Sequence, residues 1–206
     1  MTKTLAKMLS LAVNGDRLNQ ALEDLAEIGK QADNTIKRIA FSPEDLTARA
    51  CLREWMESAG MTVRVDAGGN LIGRYPGREA EAAALATGSH IDTVFSGGRF
   101  DGSLGVIAGL EVVRVLQEND IKLHHPLELI AFADEERTMV GAKAMAGTAL
   151  EDPERYDTWD NDSIQSCLAR AGGDWENLLT ARRSREDIAC FLELHVEQGG
   201  VLEAIG

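Results

Sequence analysis

Three apolar runs in this chain stop at residues whose side chains are able to bind protons or metal ions. Ala82 to Ala86 leads into Gly88-Ser89-His90-Ile91-Asp92-Thr93 and on to Gly97-Gly98-Arg99-Phe100-Asp101-Gly102. Leu127 to Ala133 leads into Asp134-Glu135-Glu136. Ile188 to Leu194 leads into His195. Apolar runs this short, bounded by turn residues, read as strands. Leu127 to Ala133 is nearly all apolar, which predicts a central strand. From Ser103 to about Glu118, Leu104, Ile107, Leu110 and Val113 recur at helical spacing. Strand, helix, strand predicts a parallel pair joined by a right-handed crossover. Open α/β sheets place ligands beyond the C-terminal ends of their strands. The pattern therefore predicts an α/β fold with three polar ends at one edge, and the glycine-rich stretch from Gly88 to Gly102 as the loop entering the helix.

The other segments fit around this unit. Asn14 can cap a helix with Leu18, Leu22, Leu25 and Ile28 on one face, ended by Gly29. Ser42-Pro43-Glu44-Asp45 is a stronger start signal, with a cap, a proline for the first turn and acids for the N-terminal dipole. That helix is expected to bury Leu46, Leu52, Trp55 and Met56 and to stop at Gly60. Met61 to Val65 and Leu71 to Tyr75 flank Gly68-Gly69 as a hairpin, and Pro76 to Glu81 reads as a surface loop. Short helices are expected over Ala142 to Leu150 and, capped by Asp162 or Ser163, over Ser163 to Arg170. Glu151 to Asp162 reads as irregular. Arg182, Arg183 and Arg185 read as a solvated face, and His124 and His125 as surface residues.

With 206 residues the chain suits one ordinary domain or slightly more, and 44% hydrophobic residues support a core. The formal net charge of -13 argues against nucleic acid as a partner. No apolar run approaches the roughly 18 residues of a membrane span. Met1 to Leu5 carries only a weak apolar patch without a convincing cleavage site. Cys51, Cys167 and Cys190 are odd in number and scattered, which fits packing roles in a reducing compartment. The expected setting is the cytoplasm, without membrane association.

Histidine and carboxylate ligands without thiolate point to a catalytic rather than a structural metal site. Asp101 can bridge two ions, and a pair roughly 3.5–4 Å apart polarises a carbonyl and activates water. Adjacent glutamates point different ways, so Glu135 and Glu136 divide their tasks, one binding metal and the other acting as general acid/base. Spacing alone does not choose between them. Asp92, two residues past His90, can hold the other imidazole nitrogen. Each feature has a plainer reading taken singly. His90 can be a satisfied core histidine, Asp101-Gly102 a turn and helix cap, and Glu135-Glu136 the start of a solvated helix. Trp55, Trp159 and Trp175 read as packing residues.

The chain resembles the amidohydrolase branch of the dinuclear zinc metallopeptidases, which contains N-carbamoyl-L-amino-acid hydrolases, allantoate and ureidoglycolate amidohydrolases, and β-ureidopropionase. The resemblance is carried by Arg38-Ile39-Ala40-Phe41-Ser42-Pro43-Glu44-Asp45, Asp66-Ala67-Gly68-Gly69-Asn70-Leu71, Gly88 to Thr93, Gly97 to Gly102, and Glu193-Leu194-His195-Val196-Glu197-Gln198-Gly199. It implies a zinc-exopeptidase-type α/β fold, with a mixed, largely parallel sheet flanked by helices. It further implies two divalent metal ions, zinc or manganese, with cobalt or nickel as alternatives. His90, Asp101, Glu136 and His195 would be metal ligands, with Asp101 bridging. Glu135 would be the general acid/base, Asp92 the residue that orients His90, and Gln198 a contact to the substrate's amide or ureido group. The implied substrates are small carbamoyl or ureido amino acids, and the implied assembly is a homo-oligomer. The family usually has a longer loop after its paired glutamates, whereas here Arg137-Thr138-Met139-Val140 leads at once to Gly141. The resemblance makes residues 1–206 a truncated, N-terminal part of a catalytic domain. An inserted lid and dimerisation domain, the arginine for the substrate carboxylate and a last histidine ligand would lie outside it. An aminoacylase or dipeptidase is the rival enzyme reading, and a non-catalytic truncated relative is the rival outside enzymes.

Overall fold

A computed structural model describes residues 11–159 and 161–206. Met1 to Leu5 lies outside the described residues. The elements in chain order are α1 (Gly15–Glu27), α2 (Pro43–Ser58), β1 (Thr62–Val65), β2 (Leu71–Tyr75), β3 (Ala84–His90), α3 (Ser103–Glu118), β4 (Leu127–Phe132), α4 (Val140–Ala146), α5 (Ile164–Arg170), β5 (Ile188–Leu192) and α6 (Val201–Ile205). Single 3₁₀ turns sit at Pro153–Arg155 and Leu178–Ala181.

The helix starts are set locally. Asn14 accepts from the Arg17 N–H, Ser42 accepts from the Asp45 N–H ahead of Pro43, and Ser163 accepts from the Ser166 N–H. The five strands form one mixed sheet in the order β1-β2-β4-β3-β5. β1 and β2 are an antiparallel hairpin, β2 is antiparallel to β4, and β3 is parallel to both β4 and β5. β4 is central, as its composition predicts. Its side chains alternate between faces: Leu129 and Ala131 join Leu22, Leu25, Leu52, Met56, Ile107 and Leu110 in the larger core, while Ile130 packs with Ile72, Ala86 and Met145.

Several expectations need correction. The strand expected over Ala82 to Ala86 runs from Ala84 to His90, so Gly88, Ser89 and His90 are strand, not loop. The extension follows from pairing: Gly88 lies opposite Ile130, and a Cβ there would collide with the Ile130 carbonyl oxygen. Leu46 and Trp55 are only half-buried, because Asp45 and Arg49 take inward positions of α2. Arg183 is not on a solvated face. Its Nη2 lies 3.2 Å from Oε2 of Glu128, the buried acid of β4 that also pairs with Arg74 at 2.8 Å. His125 is half-buried, with Nδ1 2.6 Å from the Ala83 carbonyl. Cys167 is buried and Cys51 half-buried, but Cys190 is exposed.

No helix among the described residues is long and apolar enough to cross a membrane. The outer side of β5 is unpaired among the described residues. Phe191, Leu192 and Leu194 there are 39%, 71% and 53% exposed, a combination of free strand edge and apolar surface that favours pairing with another copy. The expected outcome is concentration-dependent assembly in light scattering, shifted toward monomer by Leu192→Lys with Leu194→Lys. A monodisperse monomer for the unaltered chain would contradict it.

Candidate metal centre

His90 is the last residue of β3 and is almost fully buried. Its Nδ1 lies 3.0 Å from the carbonyl oxygen of Asp92. A carbonyl only accepts, so Nδ1 carries the proton, and in the neutral imidazole Nε2 then presents its lone pair. That Nε2 lies 3.9 Å from Asp101 Oδ1 and 3.6 Å from Glu135 Oε2. His195 repeats the arrangement. Its Nδ1 lies 2.8 Å from the Val196 carbonyl, and its Nε2 lies 3.4 Å from Asp101 Oδ1. The two rings stack with centroids 5.9 Å apart.

Asp101 is placed by the turn into α3. Gly102 caps that helix with φ +62, a left-handed conformation, and a Cβ on it would strike the His90 ring. Glu135 and Glu136 follow β4. The Asp92 carboxylate accepts from both of their backbone N–H groups, at 3.3 Å and 3.1 Å. The same carboxylate lies 3.7 Å from His90 Nδ1, so the short contact to the imidazole comes from the Asp92 backbone and the side chain holds the glutamate turn. Gln198, with φ +57, donates from Nε2 to Asp101 Oδ1 at 2.6 Å. The structure thus gathers His90, Asp92, Asp101, Glu135, Glu136, His195 and Gln198 at one edge of the sheet. Candidate ligand atoms of His90, Asp101 and His195, and those of His90, Glu135 and Glu136, lie within 4.8 Å of one another.

This donor set fits a cation. Two imidazole lone pairs face carboxylate oxygens, which is favourable only with positive charge between them. Among the described residues no lysine or arginine pairs with Asp101, Glu135 or Glu136. Burial pushes the Glu136 carboxyl up, with the charges of Asp101 and Glu135 adding to the shift. Oxygen and nitrogen donors without sulfur suit a divalent metal ion.

Three supports beneath the site escaped the sequence reading. Arg38 is fully buried and donates to the carbonyls of Ile91 (2.6 Å), Leu25 (2.9 Å) and Ile28 (2.9 Å), and to Ser103 Oγ (3.2 Å). It therefore ties the end of α1 to the His90 and Asp101 segments. Asn70 bridges Ala133 and Gly141. Asp134, with φ +52, accepts from Thr138, while its Oδ1 is buried without a partner. The sequence signal was slight: Arg38 follows Lys37 at the start of the apolar stretch Ile39-Ala40-Phe41, and Asn70 stands between Gly69 and the apolar Leu71-Ile72.

Burial pushes the Asp134 carboxyl up to about 6, above the ordinary value of roughly 3.9. The folded state then holds this proton more tightly than the unfolded state. Its stabilisation is complete below about pH 4 and is lost as pH rises through about 6. In the presence of a chelator, Asp134→Asn is expected to reduce the fall in melting temperature between about pH 4 and pH 7. Thermal melts of both chains across that range check this, and superimposable profiles would refute it.

Comparisons with known proteins give the family of the chain. The model of "Peptidase family M20/M25/M40" matches residues 86–206. An N-carbamoyl-L-amino acid amidohydrolase of Geobacillus stearothermophilus is 41% identical over 201 residues, covering 94% of this chain and 49% of that protein. Allantoate deiminase 2 of Glycine max is 36% identical over 201 residues, covering 91% and 41%. The crystal structure of a hydantoinase/carbamoylase family amidase from Burkholderia ambifaria superposes with a TM-score of 0.86 at 37% identity, covering 95% of this chain and 48% of that one. The chain spans about half the length of the curated relatives it matches. With the family model covering more than half of its residues, including every histidine and carboxylate of the cluster, the chain belongs to peptidase family M20/M25/M40.

Proposed function

We propose that this chain is the N-terminal, metal-binding part of an amidohydrolase that cleaves linear C–N bonds in N-carbamoyl or ureido amino acids. The observation that carries the reading is the pair of Nε2 lone pairs, on His90 and His195, aimed at the carboxylates around Asp101 and Glu135. The names of the relatives support the substrate class, and the chain covers 49% of the first of them. The family and the donor set support a divalent ion, and a second ion is part of the proposal.

His90, Asp101, Glu136 and His195 would hold the ions. When bound, such ions polarise a carbonyl and lower the pKa of water. Glu135, half-exposed at the rim, is the proton carrier. A water proton passes to its carboxylate as the water oxygen bonds to the substrate carbon. The C–N bond then breaks, and the same proton moves to the leaving nitrogen. Asp92 keeps Glu135 and Glu136 in place through their N–H groups. Gln198 is both donor and acceptor, so on exchanging its contact with Asp101 it matches the N–H and C=O of a ureido group.

Two measurements test this in a protein of full family length bearing these residues. Glu135→Gln is expected to retain metal and to lose turnover by roughly 10²–10⁴-fold, because the shuttle goes and the ligands stay. Full activity would remove Glu135 from this role. In a substrate panel, N-carbamoyl amino acids or allantoate should exceed dipeptides in kcat/KM. The reverse order would favour the aminoacylase or dipeptidase reading.

A further inference from the structure

Asn70 is fully buried, and its side chain reaches across to another part of the chain. Oδ1 accepts from the Ala133 N–H at 3.0 Å, and Nδ2 donates to the Gly141 carbonyl at 3.0 Å and to Asp66 Oδ2 at 2.9 Å. Ala133 and Gly141 are the two ends of the loop that carries Glu135 and Glu136. They also bond directly, Gly141 N–H to the Ala133 carbonyl at 3.2 Å. A Cβ on Gly141 would collide with Asn70 Oδ1, so the loop end has to be glycine for the amide to reach it. The amide is itself held by the hairpin turn: Asn70 N–H donates to Asp66 Oδ1 at 2.9 Å, and Asp66 N–H to the Asn70 carbonyl at 3.1 Å. One carboxamide thus joins the β1–β2 turn to both ends of the loop.

We infer that Asn70 is a positioning residue: its carboxamide closes the base of the 133–141 loop and thereby sets Glu136 against His90. Every polar atom of the amide is used, and a single carbon, Cγ, separates its acceptor from its donor, so the spacing of the loop ends is fixed to within hydrogen-bond tolerance. Asp92 holds the loop between those ends, at the Glu135 and Glu136 N–H groups. The loop is short and fastened at both places. Loss of either fastening releases Glu136 while leaving Asp101 and His195, which stand on other segments, where they are. The inference rests on reading Glu136 as a ligand, and the experiment separates the two claims.

The test is Co²⁺ titration of the 206-residue chain by calorimetry and visible absorption, for wild type, Asn70→Asp, Glu136→Gln and the double variant. Asn70→Asp keeps the size and the acceptor to Ala133 but removes both donated bonds. It is expected to weaken Co²⁺ binding by about 10–100-fold in the wild-type background and to add nothing once Glu136 is Gln. Equal weakening in both backgrounds, or none in either, would overturn the inference, since a general loss of structure does not single out Glu136. Where Asn70→Asp fails to fold, Asp66→Asn with Asn70→Asp restores the donor between residues 66 and 70 and still leaves the Gly141 carbonyl without one. Failure of the wild type to bind Co²⁺ would refute the metal reading. Hydrogen exchange of the unaltered chain then decides the Asn70 contact alone: the Ala133 amide should be protected like the interior of β4, and exchange at loop rates would overturn it.

Discussion

Parallel pairing of β3 with β4 is the constraint on which the site depends. His90 lies opposite Phe132, so both strands end at the same height and in the same direction. Asp92 then reaches the N–H groups of Glu135 and Glu136 across the gap between neighbouring strands. A shift of one residue would turn His90 to the other face. Gly88 opposes that shift, because its missing side chain admits the Ile130 carbonyl and no other residue of β3 offers that space. The register of the sheet and the geometry of the candidate ligands are therefore one requirement.

The pairing also concentrates acids in a poorly solvated place. Asp45, Asp92 and Asp134 are all buried, and burial is the first cause raising each of their carboxyl groups. Each has some relief: Asp45 from the Phe41 N–H and the charge of Arg49, Asp92 from two backbone N–H groups, Asp134 from Thr138. Arg38 adds a buried positive charge but gives its hydrogen bonds to carbonyls and a hydroxyl, none to an acid. The rim carboxylates of Asp101, Glu135 and Glu136 receive no lysine or arginine among the described residues. Residual negative charge beside two oriented imidazole lone pairs is the electrostatic demand that a divalent cation meets.

Most of the scaffold was legible because it follows from periodicity and caps. Asn14, Ser42 and Ser163 start their helices as their side chains predict, and the helix over Ser103–Glu118 and the hairpin follow the apolar pattern. What escaped was non-local. The length of β3 depends on its partner β4 rather than on its own composition. Arg183 reads as surface until Glu128, a lone acid in a central strand, is seen to need it. For the site, the residue types and their order were visible, but the division of labour within Asp92 was not. Backbone and side chain of one residue serve different partners, and spacing in the sequence cannot separate them.

The two sides of the site are built to different standards, and this orders their behaviour. His90, Asp92 and the glutamate loop are tied to the core through Arg38, Asn70 and the central strands. His195 and Gln198 hang from β5, an edge strand whose Phe191, Leu192 and Leu194 are exposed. Fewer buried apolar contacts mean a lower free energy for local opening on that side. A side chain on a segment that opens more readily has to be ordered when it takes part in binding, which lowers its contribution to affinity. The His90 and Glu136 side is thus preorganised, while the His195 side gains order from whatever packs on β5. The strand that leads to His195 is the strand whose outer edge is unpaired among the described residues, so packing on β5 and the order of His195 are coupled.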